Sequence, residues 1–143
     1  MRFYKRSAGA VVYIIEKGEV LYLLLHGRLG WDFPHGLVRR RESDEEAALR
    51  EILEETNLTV EIVPSFREEI RYKYSKRGRV LYREIVYFLA KSKSKEVRLS
   101  KEHDAYTWAR KTDALRLINR DETREVLIKA WKKIVEFEKV LAN

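Results

Sequence analysis

Residues 36–58 read GLVRRRESDEEAALREILEETNL, and no other stretch restricts the fold so tightly, because both ends of a helix are marked in it. Ser43 followed three residues later by Glu46 predicts a capping box, and Asp44 and Glu45 add negative charge at the positive end of the helix. The helix is predicted to run to Thr56. Asn57 then falls where a left-handed residue ends a helix, and Asn is the usual second choice to Gly there. Ala48, Leu49, Ile52 and Leu53 make an apolar side for docking. Glu51, Glu54 and Glu55 stand at i, i+3 and i+4 and therefore share one face. Like charges so placed repel, and a hard divalent cation taking oxygen ligands removes the penalty. Arg50, four residues before Glu54, neutralises and orients it in part, and Glu42 reaches the same end from the preceding loop. For a Glu-rich helix in general, a merely solvated acidic face is the ordinary alternative.

The rest of the chain reads as strands with helices between and after them. Residues 7–15 and 20–25 are strands around a turn at 16–19, and Gly27, Gly30 and Pro34 interrupt the stretch between the second strand and the helix. Strands are predicted at 58–64, 66–74 and 80–91, the last two forming a hairpin through 75–78, with 91–95 as a solvated loop. Thr112 or Asp113 is predicted to cap a short helix ending at Ile118. A longer helix is predicted over 121–141, with Leu127, Trp131 and Ile134 on one stripe and Val126, Ala130, Phe137 and Val140 beside it. Trp131 and Phe137 read as core. The class is α/β or α+β around a mostly mixed sheet.

The length of 143 residues suits one domain over 1–143. Cysteine is absent, so thiol catalysis and disulfides are excluded, and the three histidines are too scattered for a zinc cluster. The apolar run at 8–15 is followed by Glu16-Lys17-Gly18 with no cleavage site, and it is too short for a bilayer. It reads as a buried strand of a cytoplasmic protein without membrane contact. A net charge of +7 suits nucleotides or RNA as ligands, although a solvated surface with both signs abundant accounts for it equally well. No run of aromatics interleaved with basic residues marks a single-strand groove. With 37% charged residues, no Gln and three Asn, the composition resembles that of thermophile proteins.

The spacing of residues 36–58 resembles the signature of the Nudix hydrolase family, Gly-x5-Glu-x7-Arg-Glu-U-x-Glu-Glu-x-Gly-U, with U a bulky aliphatic residue. Gly36, Glu42, Arg50, Glu51, Ile52, Glu54, Glu55 and Leu58 match, and Asn57 stands at the second glycine. The resemblance implies the Nudix fold, a mixed sheet sandwiched between helices with a loop–helix–loop motif. It also implies a metal-dependent pyrophosphohydrolase using Mg²⁺ or Mn²⁺. Glu51, Glu54 and Glu55 would be ligands, or in one case a base for water; Arg50 would orient them, and Gly36 would permit close backbone approach.

Two flanking segments look like those of the asymmetrical diadenosine tetraphosphate hydrolase subgroup: Trp31-Asp32-Phe33-Pro34-His35-Gly36, and residues 99–108, LSKEHDAYTW. By that analogy Glu102 adds a carboxylate to the metal site and is the second candidate for general base. The same resemblance implies that Tyr72 would stack on adenine and that Arg83 would contact phosphate, although a cross-strand packing role suits Tyr72 equally well. His35 stands where the subgroup has lysine, and Arg39, Arg40 and Arg41 are candidates to restore the charge. The leading expectation is conversion of diadenosine tetraphosphate and water to ATP and AMP. The alternatives are 5′-end RNA pyrophosphohydrolysis and a nucleotide-sensing module without activity, with monomer and homodimer both open.

Overall fold

The computed structural model describes residues 4–139. In chain order the elements are β1 (Tyr4–Glu16), β2 (Glu19–Gly27), β3 (Gly30–Asp32), β4 (His35–Leu37), α1 (Asp44–Thr56), β5 (Val60–Ile62), β6 (Glu68–Lys76), β7 (Arg79–Ser92), β8 (Ala105–Ala109), α2 (Lys111–Leu117) and α3 (Asp121–Glu138). All eight strands belong to one mixed sheet, in which β1 and β7 run parallel and every other pair is antiparallel. The class is therefore α+β.

The parallel pair lies at the centre, and its composition shows why. Ser7 to Val12 of β1 and Glu84 to Ala90 of β7 are buried almost without a break, as strands covered on both faces must be. Alternation along β1 divides the core in two. Ala8, Ala10 and Val12 meet Ala47, Ala48 and Ile52 of α1. Val11 and Tyr13 face the opposite way, toward Ala114 of α2 and Val126, Leu127, Ala130 and Ile134 of α3. The sheet is thus held between α1 and the α2–α3 pair. Each fully buried aliphatic chain such as Ile52 contributes roughly 1.5–3 kcal/mol relative to exposure.

The arrangement that builds the site is a wedge. Tyr13 pairs with Tyr22, but farther along, β1 pairs with β4 through Ser7–Leu37 and Gly9–His35. On the same edge, β2 leaves β1 and pairs with β3 through Leu25–Asp32. Residues 30–37 therefore fill the gap where β1 and β2 diverge. A Cβ on Gly9 would lie 2.1 Å from the Pro34 carbonyl oxygen, so only glycine admits this close crossing.

Several expectations are corrected. The strands β3, β4 and β8 have no counterpart in the sequence pattern, and β5 is shorter than 58–64. The short helix begins at Lys111 after Arg110, with no side-chain cap; neither Thr112 nor Asp113 serves, because β8 delivers the chain directly into the helix at Ala109. Leu53 is 50% exposed and Phe137 47% exposed, so neither docks its element. Trp131 does pack against the core as a half-buried side chain. Val140 and Leu141 lie outside the described residues. Among those residues no helix is long and apolar enough to cross a membrane.

Candidate active site

The capping box forms as predicted: Glu46 N–H donates to Ser43 Oγ at 3.1 Å and Ser43 N–H to Glu46 Oε1 at 2.9 Å. At the other end Asn57 adopts φ 61°, ψ 18°, and its N–H donates to the Leu53 carbonyl. With its ends pinned, α1 presents its acidic face to β4. A Cβ on Gly36 would fall 2.1 Å from Glu51 Cδ, so glycine is what lets the Glu51 carboxylate lie against the β4 backbone.

Arg50 organises the cluster. Its guanidinium donates to Glu42 Oε2 at 2.6 Å and Oε1 at 3.0 Å, to Glu51 Oε1 at 2.7 Å, to Glu54 Oε2 at 3.2 Å and to the Leu37 carbonyl at 2.9 Å. These bonds hold the Glu42 carboxyl down at about 2, with Arg50 the main cause and the Arg39 N–H next. Glu55 is the opposite case. It is 3% exposed, and burial is the first cause that pushes its carboxyl up to about 9; Glu51, Glu102 and Asp32 add to it. Its Oε2 has no hydrogen-bond partner among the described residues and lies 3.6 Å from His103 Nε2.

These groups line a cavity of about 700 Å³, within the range that receives small-molecule ligands. Its lining carries the acids Asp32, Glu51, Glu54, Glu55 and Glu102, and with them Arg28, Arg39, Arg83, Arg120 and Tyr72. Arg83 Nε, Ser100 Oγ and His103 Nδ1 also line it and, like Glu55 Oε2, are buried without a partner among the described residues. Buried polar atoms are seldom left so, and their convergence on one cavity marks a place for a polar ligand.

Most residues expected at the site converge there: Glu51, Glu54, Glu55, Glu102, His35, Gly36, Arg39, Tyr72 and Arg83 all line the cavity, with Arg50 behind them. Arg41, and Arg40 beside it, do not; they lie exposed on the loop, with Arg41 at φ 69°. Of the three arginines only Arg39 remains as a substitute for the missing lysine, and it lies 3.6 Å from Glu54. Arg28, Asp32 and Arg120 escape sequence reasoning. None lies within the signature; Asp32 falls in the flanking segment 31–36 without its role being legible there, and no local pattern announces Arg28 or Arg120. His35 Nδ1 bonds the Phe33 carbonyl at 2.9 Å. A carbonyl only accepts, so Nδ1 carries the proton and a neutral ring offers Nε2 as an acceptor. The Arg120 guanidinium lies 3.4 Å from the centroid of the Tyr72 ring, covering one of its faces.

Among the described residues no three acidic or histidine side chains yet converge as a ligand set, since Arg50 engages Glu51 and Glu54. The donors nonetheless suit a hard divalent cation. Carboxylate oxygens crowd together, and a buried one lacks a partner.

A mixed sheet between helices, with a loop–helix–loop bringing glutamates to a strand end, defines the Nudix class. Residues 4–130 match the model of that family, described as the NUDIX domain, and the chain belongs to the Nudix family. It is a Nudix hydrolase, acting on phosphorus-containing acid anhydrides. The chain is 33% identical over 136 residues to the asymmetrical bis(5′-nucleosyl)-tetraphosphatase of Rattus norvegicus, covering 85% of this chain and 90% of that one. It is 38% identical over 77 residues to an RNA pyrophosphohydrolase of Proteus mirabilis, covering 52% of this chain and 43% of the other. In structure it is similar to the Ap4A hydrolase of C. elegans solved as a binary complex, with a TM-score of 0.83, 29% identity, and coverage of 93% and 99%.

Proposed function

We propose that the protein hydrolyses dinucleoside polyphosphates, diadenosine tetraphosphate to ATP and AMP foremost, in a reaction that depends on Mg²⁺ or Mn²⁺. The observation that carries this reading is one cavity lined both by five acidic side chains and by four arginines with Tyr72. Long polyphosphates need both, cations to hold their charge and carboxylates to bring a metal to one anhydride bond. Similarity to the rat tetraphosphatase over most of both chains supports the substrate class.

Glu51, Glu54, Glu55 and Glu102 are the residues that would hold the cation. When bound, it neutralises anhydride charge, activates water and stabilises the departing phosphate. The chain's own groups do the rest. Arg50 keeps Glu51 and Glu54 facing the cavity, because their alternative orientations would forfeit charged hydrogen bonds. Arg28, Arg39, Arg83 and Arg120 offset the substrate's negative charge, and Tyr72 with its stacked Arg120 offers a flat surface to a base. Glu102, exposed on its loop, or Glu55 takes the proton from the attacking water. Buried Glu55 holds its proton up to about pH 9 until a cation offsets its neighbours.

The test is a panel of diadenosine polyphosphates, nucleoside triphosphates, sugar nucleotides and 5′-triphosphorylated RNA, each with Mg²⁺, Mn²⁺ or EDTA. ATP and AMP in equal amounts from diadenosine tetraphosphate, abolished by EDTA, are expected. Turnover of the other classes alone would overturn the assignment.

A further inference from the structure

We propose that the hairpin of β6 and β7 binds single-stranded RNA, holding the strand that continues from a 5′-polyphosphate end seated in the cavity. The inference rests on the reading of the cavity as a pyrophosphate site and extends it to a polymeric substrate.

Residues 71–83, RYKYSKRGRVLYR, contain six cations and no acid, whereas the whole chain carries a net +7. This hairpin therefore concentrates cations with no acid among them. Several cations elsewhere are tied to carboxylates, as Lys91 is to Glu138, Arg110 to Glu19 and Lys129 to Glu68. Arg71 is paired with Glu84 at the hairpin base. Among the described residues Lys76, Arg77 and Arg79 make no such pair, and residues 75–80 are all exposed.

In the linear sequence the cations beside Tyr72 and Tyr74 are Arg71 and Lys73, which alternate onto the opposite face, and it is the strand register that sets cations of the second strand beside the tyrosines. Tyr72 pairs with Arg83, Tyr74 with Leu81, and Lys76 with Arg79. Directly opposed residues share a face, and so do residues two apart on a strand. One face of the hairpin thus carries Tyr72 and Arg83, then Tyr74 and Leu81, then Lys76 and Arg79. Tyr72 and Arg83 line the cavity, so the face runs from the cavity outward to the tip over about 13 Å, four residues at about 3.3 Å each. Arg83 lies over the Tyr74 ring at 5.4 Å and Arg120 over the Tyr72 ring at 3.4 Å. Alternating aromatic and guanidinium planes receive stacked bases, and the tip cations receive phosphates. A duplex would not expose base faces to such a surface, which favours a single strand.

Binding can be read by fluorescence anisotropy in EDTA, where a 5′-triphosphorylated RNA of about ten nucleotides stays intact. GTP and vesicles containing anionic lipid serve as comparisons. The variant Lys76→Ser/Arg77→Asn/Arg79→Ser alters only exposed tip residues, and an unchanged Tm verifies its fold. The wild type is expected to bind the RNA at least about tenfold more tightly than GTP. The variant should lose most of that margin, and its log–log salt slope should shrink by about 2, since each phosphate contact contributes about 0.7. Its hydrolysis of diadenosine tetraphosphate with Mg²⁺ should match the wild type. Equal RNA affinity of the two proteins, GTP bound as tightly as RNA, or vesicles bound as tightly as RNA would each overturn the proposal. The two readings fail separately. Hairpin-dependent RNA binding without hydrolysis of any anhydride would defeat the cavity assignment alone; hydrolysis of diadenosine tetraphosphate without it would defeat the hairpin alone.

Discussion

Burial and three neighbouring carboxylates act on Glu55 in the same direction, and that makes it the most informative single residue to change. Glu55→Gln keeps the shape and removes a charged oxygen. If the side chain serves a metal-assisted reaction, kcat should fall by roughly two to four orders of magnitude in a steady-state assay with Mg²⁺. Near-wild-type turnover would remove Glu55 from the site. A second substitution addresses the cation at position 35. His35 Nδ1 is engaged by the Phe33 carbonyl, and Arg28, Arg39, Arg83 and Arg120 already surround the cavity. His35→Lys should therefore lower KM for diadenosine tetraphosphate by less than about twofold, since one more charge in this half-buried position adds little beside four guanidinium groups already lining the cavity. A much larger fall would show that the arginines do not compensate for the missing lysine.

At the level of the element, α1 is held by its ends. Its cap residue Asn57 sits at φ 61°, where a side chain branched at Cβ clashes with the backbone and where Gly is at ease. Asn57→Gly should leave stability unchanged or slightly higher in urea unfolding, whereas Asn57→Val should cost about 1 kcal/mol or more. Equal stability of the two variants would mean that the left-handed cap contributes nothing. This helix is readable in the sequence because capping, dipole complementarity and i, i+3, i+4 spacing are all local. β3, β4 and β8 are not, because three to five residues carry too short a pattern and their existence depends on partners far along the chain. α2 shows the same limit, since the end of β8 sets its start and no capping side chain does.

For the whole molecule, the acidic cluster makes stability depend on pH when no metal is bound. Glu55 has its folded value raised from 4.5 to about 9, so between those limits the folded state holds a proton that the unfolded state releases. Stability must then fall as pH rises through that window and be regained below it. In EDTA, Tm should be higher at pH 5 than at pH 8.5, apart from contributions of other groups. Glu55→Gln should remove much of that difference, and Mg²⁺ should raise Tm most at the alkaline end. An identical pH dependence of Tm in wild type and variant would contradict the assignment of the strain to Glu55.

By itself the sequence determined the signature helix, the three carboxylates along it, the Arg50 beside them and the main strands, because each rests on contacts within a few residues. Tertiary structure alone decided which side chains meet across the cavity. The divergence of β1 and β2 admits residues 30–37 and brings Asp32 and His35 to the glutamates, while the loop before β8 brings Glu102. Arg120 arrives from the start of α3, whereas Arg41 stays exposed outside the cavity lining. The face shared by Tyr72, Tyr74, Lys76, Arg79 and Arg83 likewise exists only once β6 and β7 are in register. Pairing between distant segments is set by which faces the whole sheet buries, and no window along one strand contains that information.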